Sequence, residues 1–446
     1  MVVVAMIVAV VVMVPLTMMR VRHEGQLTAG GLQRHNPQWF NDETCRFNQL
    51  PATRAVMLRV LTLSTLFPDS TRPNFGIFVE RQTLGLAALP DVEVRVVAPV
   101  GLPPWPLTSL AHYRELAAIP HRELWKGLPV ERPRFTVYPG TQGRFHARSL
   151  TRALFPVLDD MRRAFPFDVI DASFFFPDGP AAVALGRRFG VPVSIKARGA
   201  DIHFWGRQPA TAGQVREAGR AADGLLAVST SMQSDMAAIG LAAELIRVHH
   251  TGVDLARFAP VERATVKGRL GIPGPLVVSV GALIDRKGHE IVVEAVARLP
   301  GVSLLIAGEG PSRSSIEAAV ARNGVADRVR LMGAVPHGDL PGLIAAADVM
   351  ALASSSEGLA NAWVEALACG TPIVITPAGG AAEVVTGDAA GRIVPREAAA
   401  FADAIADLLI DPPAPEATRR HALAFTWDAN AEALRDHLQV LVAKGS

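Results

Sequence analysis

Two carboxylates and two adjacent cations in the second half of the chain have the setting that chemistry needs. Glu357 follows an apolar run, and the segment EGLANAWVEALACGTPIV places Glu365 eight residues later. On a helix begun at Leu359, Glu365 is nearly two turns in, and its side chain leans back toward the helix start. Carboxylates accept well from vicinal hydroxyls, and the free amides of Gly358, Leu359, Ala360 and Asn361 suit a sugar or phosphate oxygen. Upstream, Gly281-Ala282-Leu283-Ile284-Asp285-Arg286-Lys287-Gly288 leaves an apolar run and opens a helical stretch. Arg286 and Lys287 at such a place can hold a diphosphate, since the amides, the helix dipole and the two charges add. Plainer readings stand beside these: a helix-start charge, an exposed helix residue and two solvated cations.

Other devices are weak or missing. No G-x-x-x-x-G-K-[ST] occurs, which argues against a P-loop NTPase. Gly308-Glu309-Gly310 is followed by Arg313 where a dinucleotide fingerprint needs glycine, which disfavours a nicotinamide enzyme. His249 and His250 are neighbours, and neighbours on a strand point to opposite faces, so no metal site is expected there. Asp171 and Asp178 flank FFFP as a carboxylate pair or as loop residues. Arg198 and Asp201 in the turn KARGADI read equally well as an ion pair under a turn. Cys369, among apolar neighbours, reads as a buried small residue.

The elements that must position these residues alternate strand and helix. From Met57, strand-like runs fall at 57–67, 92–99, 167–173, 191–199 and 224–230, with a helix from Ile77 to Leu89. A second series has strands at 275–281, 303–310, 329–333, 348–354 and 371–377, and helices at 287–299, 311–323, 338–347, 360–369 and 396–410. Parallel β-α units are implied, in an α/β chain of two doubly wound, Rossmann-like domains. The expected boundaries are 57–252 and 253–425, with a helix at 426–446 crossing back to the first domain. In such folds ligands bind outside the carboxyl ends of the strands, so the cleft between domains is the expected site.

Composition agrees with a large folded body. The chain has 446 residues, half of them hydrophobic and 19% charged, and 44 Lys+Arg against 42 Asp+Glu leaves +2. That balance excludes a global field for nucleic acid, and two cysteines exclude a disulfide framework. Residues 1–56 differ: an uncharged run ends at Arg20 and Arg22, and the stretch to Met57 has no period. A membrane anchor, a non-native leader before a start at Met57, and a folded extension remain open. Arg144, Arg148 and Arg152 share one face of an amphipathic stretch, which suits a solvated face or an anionic membrane.

Taken together, the motifs resemble the retaining family-four glycosyltransferases of the GT-B fold. The resemblance spans about 57–440. It rests on Glu357 and Glu365 with Ala366-Leu367-Ala368-Cys369-Gly370-Thr371-Pro372-Ile373, on Phe67-Pro68 with Gly76-Ile77-Phe78-Val79, and on Gly252-Val253-Asp254 with Phe258. Lys287-Gly288, Gly308-Glu309-Gly310, and Gly379-Gly380 with Glu383 complete it. It implies a nucleotide-diphosphate sugar donor, transfer with retained configuration to a glycan or lipid-linked acceptor, and neither metal nor cofactor. It assigns Glu365 to the donor ribose, Glu357 to the transferred sugar, and Gly358, Leu359, Ala360 and Asn361 to its hydroxyls and the phosphates. Lys287 and Arg286 are assigned to the diphosphate, Gly76 to a close backbone approach, and Val335 to the base. Arg198 and Asp201 are placed near the reacting centre. Two positions depart from the family: Ala282 replaces an arginine, for which Arg286 is expected to substitute, and Arg198 replaces a histidine. Arginine stays protonated and is no general base, but it can bind the leaving phosphate. A nucleotide-sugar epimerase or hydrolase on the same fold, or a binding protein without turnover, are the alternatives. A cytoplasmic place, at the membrane through a peripheral or single-span contact, is expected.

Overall fold

The structure, a computed structural model, describes residues 57–272 and 274–445. The readings of the apolar start, residues 1–56, lie outside the described residues. Among these, eight strands form a first sheet in the order Ile246–Val248, Gly224–Ala227, Val193–Ala197, Val169–Ala172, Leu58–Leu63, Val92–Val97, Leu128–Glu131, Arg122–Trp125. Only the last pair is antiparallel. A second sheet runs Val329–Gly333, Ser303–Ala307, Leu276–Val280, Val349–Leu352, Ile373–Ile375, Gly391–Ile393, all parallel. The central strands are β-branched or Leu-rich and almost wholly buried, as sheets covered by helices on both faces require, while the edge strands Arg122–Trp125 and Val329–Gly333 are partly exposed. In the second sheet the order reverses around Leu276–Val280, which sits between Ser303–Ala307 and Val349–Leu352. That reversal opens a crevice at its carboxyl end, where Arg286 and Lys287 follow.

Several elements were invisible to periodicity. The hairpin Arg122–Trp125/Leu128–Glu131 and the small parallel pair Val100–Leu102/Arg134–Thr136 are short, and the hairpin carries a proline. The edge strands Ile246–Val248 and Gly391–Ile393 have three residues each, too few for an alternation to register. The helix expected from Leu359 begins at Asn361 and ends at Ala368.

The C-terminal helix, Trp427–Gly445, buries Ala431, Leu434, Leu438 and Leu441 and packs on helix Ile77–Ala87 of the first sheet. Leu434 and Leu438 join the cluster of Leu58, Val60, Val79 and Val94. The chain therefore passes between the sheets twice, and the two passages bond to each other. Val253 N–H donates to Phe425 O at 2.7 Å, and Asn430 Nδ2 donates to His250 O at 2.6 Å. No helix among the described residues is long and apolar enough to cross a membrane.

Leu434 is fully buried between the returning helix and the first sheet. Leu434→Ala is expected to cost about 2–5 kcal/mol, read as a lower urea midpoint with little change in slope. A loss near zero would show that the helix is not docked there.

Candidate active site

A cavity of about 280 Å³ opens between the two sheets, lined from the second by Gly281, Ala282, Lys287, Glu357 and Leu359–Ala362 and from the first by Phe78, Arg198 and Val228. Lys287 lies in the turn between strand Leu276–Val280 and helix His289–Ala297, and Glu357 lies in the loop after strand Val349–Leu352. Tertiary folding brings them together: Lys287 Nζ donates to Glu357 Oε1 at 2.5 Å, and Arg286 Nη1 lies 3.2 Å from Oε2. Arg286 also donates to Ser356 O. Burial alone would raise the Glu357 carboxyl, but Lys287 and then Arg286 outweigh it and hold it below the usual range.

The amides of Gly358, Leu359 and Ala360 donate to no protein acceptor among the described residues. They precede helix Asn361–Ala368, whose start has no side-chain cap, and Leu359 and Ala360 line the cavity, so unused donors stand at its wall. Gly358 must be glycine here, since a Cβ would lie 2.7 Å from Val228 and 2.9 Å from the Arg198 carbonyl of the opposite sheet. Three further bonds close the cleft beside it, from His203 to Ser356 and from Glu383 to Thr230 and His250. His203 Nδ1 accepts from Ser356 Oγ at 3.0 Å while its Nε2 donates to Asp235 at 2.8 Å. Glu383 accepts from the Thr230 amide at 2.8 Å and from His250 Nε2 at 2.6 Å.

Arg198 is drawn to the cavity wall from the first sheet. Its Nε donates to Ser173 O at 2.6 Å, its Nη2 to Gln82 Oε1 at 3.1 Å, and its guanidinium lies over the Phe78 ring at 4.9 Å. Burial pulls its pKa down to about 10, against the pull of Asp171 and Asp201, so it remains a cation at neutral pH.

Asp201 is a correction. Its carboxylate is fully buried behind the turn, accepts the amides of Arg198 (3.0 Å), Gly199 (2.7 Å) and Phe175 (3.1 Å), and does not line the cavity. A carboxylate spent on three backbone donors shapes the turn that carries Arg198 and is not available to a substrate. Nor do the Arg198 and Asp201 side chains form an ion pair; their contact is backbone to carboxylate.

Glu365 stands apart from Glu357, 3.6 Å from His337 Nε2 and outside the lining of the cavity. His337 packs edge-on to Phe258 at 5.7 Å and follows Val335 in the loop after strand Val329–Gly333. Gly76 caps helix Ile77–Ala87 in a left-handed conformation (φ 71°), and a Cβ there would strike the Leu66 carbonyl. Its close approach is to its own chain; Phe78, two residues on, reaches the cavity. His249 and His250 diverge, one to Lys196 and Asn430, the other to Glu383. Asp171 and Asp178 do not pair: one takes Ser173 Oγ, the other the Thr65 amide, and burial pushes Asp178 up to about 7. Cys369 is buried, its thiol pushed up to about 12 by that burial. Phe78 was named only as part of a motif and given no role; Gln82 and Val228 were missed, and no local signal marks them, since each reads as an ordinary residue of its run.

Residues 78–257 match the family Glycosyltransferase Family 4, and residues 263–424 match Glycosyl transferases group 1. The chain is 29% identical over 358 residues to the protein named teichuronic acid biosynthesis glycosyltransferase TuaC of Bacillus subtilis (strain 168), covering 78% of this chain and 88% of that one. It is 37% identical over 204 residues to D-inositol 3-phosphate glycosyltransferase of Mycobacterium tuberculosis (strain ATCC 25177 / H37Ra), a stretch covering 42% of each. Among solved structures, sucrose-phosphate synthase from Thermosynechococcus elongatus superposes with a TM-score of 0.72 at 22% identity, over 87% of this chain and 100% of that one. Anabaena HepE in complex with UDP-glucose gives 0.64 at 20% identity, over 86% and 100%. Both likenesses show the fold alone, which is GT-B.

The Glu357 pair has a pH signature. A carboxyl held below its unfolded value near 4.5 contributes stability that is complete above that value and is lost as pH falls through the folded one. The stability lead of the wild type over Glu357→Gln, read from urea midpoints, is expected to be largest at pH 6–8 and to shrink toward pH 3. A gap independent of pH would mean that Glu357 is not ion-paired in solution.

Proposed function

The chain belongs to the family 4, group 1 glycosyltransferases, and on that premise we propose that it moves a glycosyl unit from a nucleotide-diphosphate sugar to a glycan or lipid-linked acceptor with retained configuration. The observation that carries this reading is one cavity in which Lys287, Glu357 and the uncapped helix start at 359–361 meet Arg198 from the facing sheet. The bond from the anomeric carbon to the leaving phosphate oxygen breaks, and the acceptor oxygen bonds to the same face of that carbon. Lys287, Arg286 and Arg198 stabilise the charge that gathers on the diphosphate, where one well-placed donor is worth about 10²–10³ in rate. Since Arg198 remains protonated, the acceptor's proton goes to the departing phosphate oxygen rather than to a side chain. Glu357 faces the transferred sugar, and the diphosphate takes up cations that Glu357 now neutralises. Asn361 opens the helix beside those amides, Glu365 accepts from the ribose hydroxyls, and Val335 offers its backbone to the base. No metal or cofactor is assigned a part; the cations on the chain take the charge.

The complex of HepE with UDP-glucose supports a nucleotide-sugar donor, and the name of TuaC supports a glycan acceptor. A lipid-linked acceptor at a membrane surface is supported by Trp105 and Leu110, exposed by 83% and 55% after strand Val100–Leu102, with Phe145 and the exposed Arg144, Arg148 and Arg152 after its partner strand Arg134–Thr136. The helix His146–Ala164 meanwhile buries Ala147, Leu150, Leu154 and Leu158, so it is core-packed with a basic outer face.

Calorimetric titration with UDP, GDP and ADP tests the donor site. The wild type is expected to bind at least one of them, and Glu365→Ala to bind it at least about tenfold more weakly, the loss of one charged hydrogen bond. Unchanged affinity in that variant would remove Glu365 from the donor site.

A further inference from the structure

Beneath the cavity lies a buried polar chain that the proposed reaction does not use. Lys196, fully buried on strand Val193–Ala197, donates from Nζ to Gln82 Oε1 at 3.0 Å and to His249 Nδ1 at 2.7 Å. His249 Nε2 lies 2.8 Å from Asn430 O, and a carbonyl only accepts, so Nε2 carries the ring proton and Nδ1 is left to accept from Lys196. Gln82, on helix Ile77–Ala87 and 1% exposed, receives two donors on one oxygen, Lys196 Nζ and Arg198 Nη2 at 3.1 Å. Its Nε2 donates to Ser173 Oγ at 3.3 Å, which donates onward to Asp171 at 3.1 Å. A flipped amide would point its N–H groups at the Arg198 cation and at Lys196 Nζ and leave Arg198 Nη2 without that acceptor, a costly arrangement in a buried site.

We propose that Gln82 is the positioning residue for Arg198: its amide oxygen aims the guanidinium at the donor cavity, and Lys196 with His249 locks that amide in its accepting orientation. The helix that carries Gln82 also carries Phe78, four residues earlier and so on the same face, and the Phe78 ring covers the guanidinium. Ser173 O holds Nε, Gln82 holds Nη2, and Nη1 has no protein partner among the described residues. The free end of the fork is thus presented to the cavity by partners on two elements. His249 belongs to the outgoing passage between the sheets and Asn430 to the returning helix, so the junction of the two halves sets the aim of Arg198. The inference rests on Arg198 acting on the leaving diphosphate.

The test compares Gln82→Met, Gln82→Glu, Lys196→Met, Arg198→Ala and the Gln82→Met/Arg198→Ala double variant. Each is assayed by release of nucleotide diphosphate from UDP-glucose, GDP-mannose or ADP-glucose, whichever the wild type cleaves fastest. Gln82→Met is expected to lower kcat at least about tenfold with donor KM within about threefold, the pattern of a lost transition-state contact. Gln82→Glu, which keeps an accepting oxygen but sets a carboxylate against the guanidinium, is expected to recover only part of that loss. In the Arg198→Ala background Gln82→Met is expected to add nothing, because residues acting as a unit are non-additive. Unchanged kcat in Gln82→Met, or losses that multiply in the double variant, would overturn the proposal. Should Gln82→Met not fold, Lys196→Met frees the amide to flip while keeping Gln82, and wild-type kcat there would overturn it equally. Should the wild type cleave none of the three donors, the donor reading is what has failed for them. The crystal structure of Gln82→Met or Lys196→Met then decides: a displaced guanidinium supports the positioning role, and one still on Ser173 O and Phe78 refutes it.

Discussion

The cleft depends on one junction, where the chain leaves the first sheet and returns to it. A single linker would leave two GT-B halves free to turn about it; here the outgoing passage at 249–253 is hydrogen-bonded to the returning one at 425–430. Val253 bonds Phe425, and Asn430 both accepts from His249 and donates to His250 O. Gly252 lies so close to Trp427 that a Cβ would fall 2.7 Å from its indole and backbone. Turning one half against the other strains these bonds, and each broken buried group would lack a replacement partner. With this junction made, the carboxyl ends of both sheets face each other, and Glu383 and Ser356 reach across to Thr230, His250 and His203.

Electrostatics then decides how the site can be built. Arg198 and Lys287 line the cavity with one carboxylate, Glu357, which Lys287 and Arg286 pair with. A buried cation without partners is expensive, and the structure answers with neutral acceptors, Ser173 O and Gln82 Oε1 for Arg198; the exposed Arg286 likewise donates to Ser356 O. Carbonyl and amide oxygens satisfy donors without cancelling charge, so the cavity keeps the positive balance that an anionic ligand needs. Asp201, the carboxylate nearest to Arg198 in sequence, would have cancelled it. Its oxygens are turned to three backbone amides instead.

Much of the architecture was legible because it is local. Strand runs such as Leu58–Leu63 and Ser303–Ala307 carry their own apolar composition, and the spacing of Glu357 and Glu365 on a loop and a following helix follows from helix geometry. Arg286 and Lys287 could be named because a turn before a helix places them by sequence alone. The three-residue edge strands and the hairpin were not legible, being too short for a period and held only by their neighbours. His337 was silent too; its place beside Glu365 exists only once strand Val329–Gly333 lies, with two strands between, in one sheet with Val349–Leu352, whose loop leads into the Glu365 helix.

By itself the sequence determined the α/β pattern, the family motifs, and which residue types stand at the helix starts, since each depends on neighbours a few positions away. The tertiary structure alone decided what those residues do. Whether Asp201 faces solvent, substrate or its own backbone depends on the turn it closes. Whether Arg198 points into the cavity depends on a glutamine 116 positions away and on a histidine 53 positions from Lys196. Burial, charge balance and hydrogen-bond partners are properties of position in space, and chain-distant groups meet only when the sheets, the junction and the returning helix have packed.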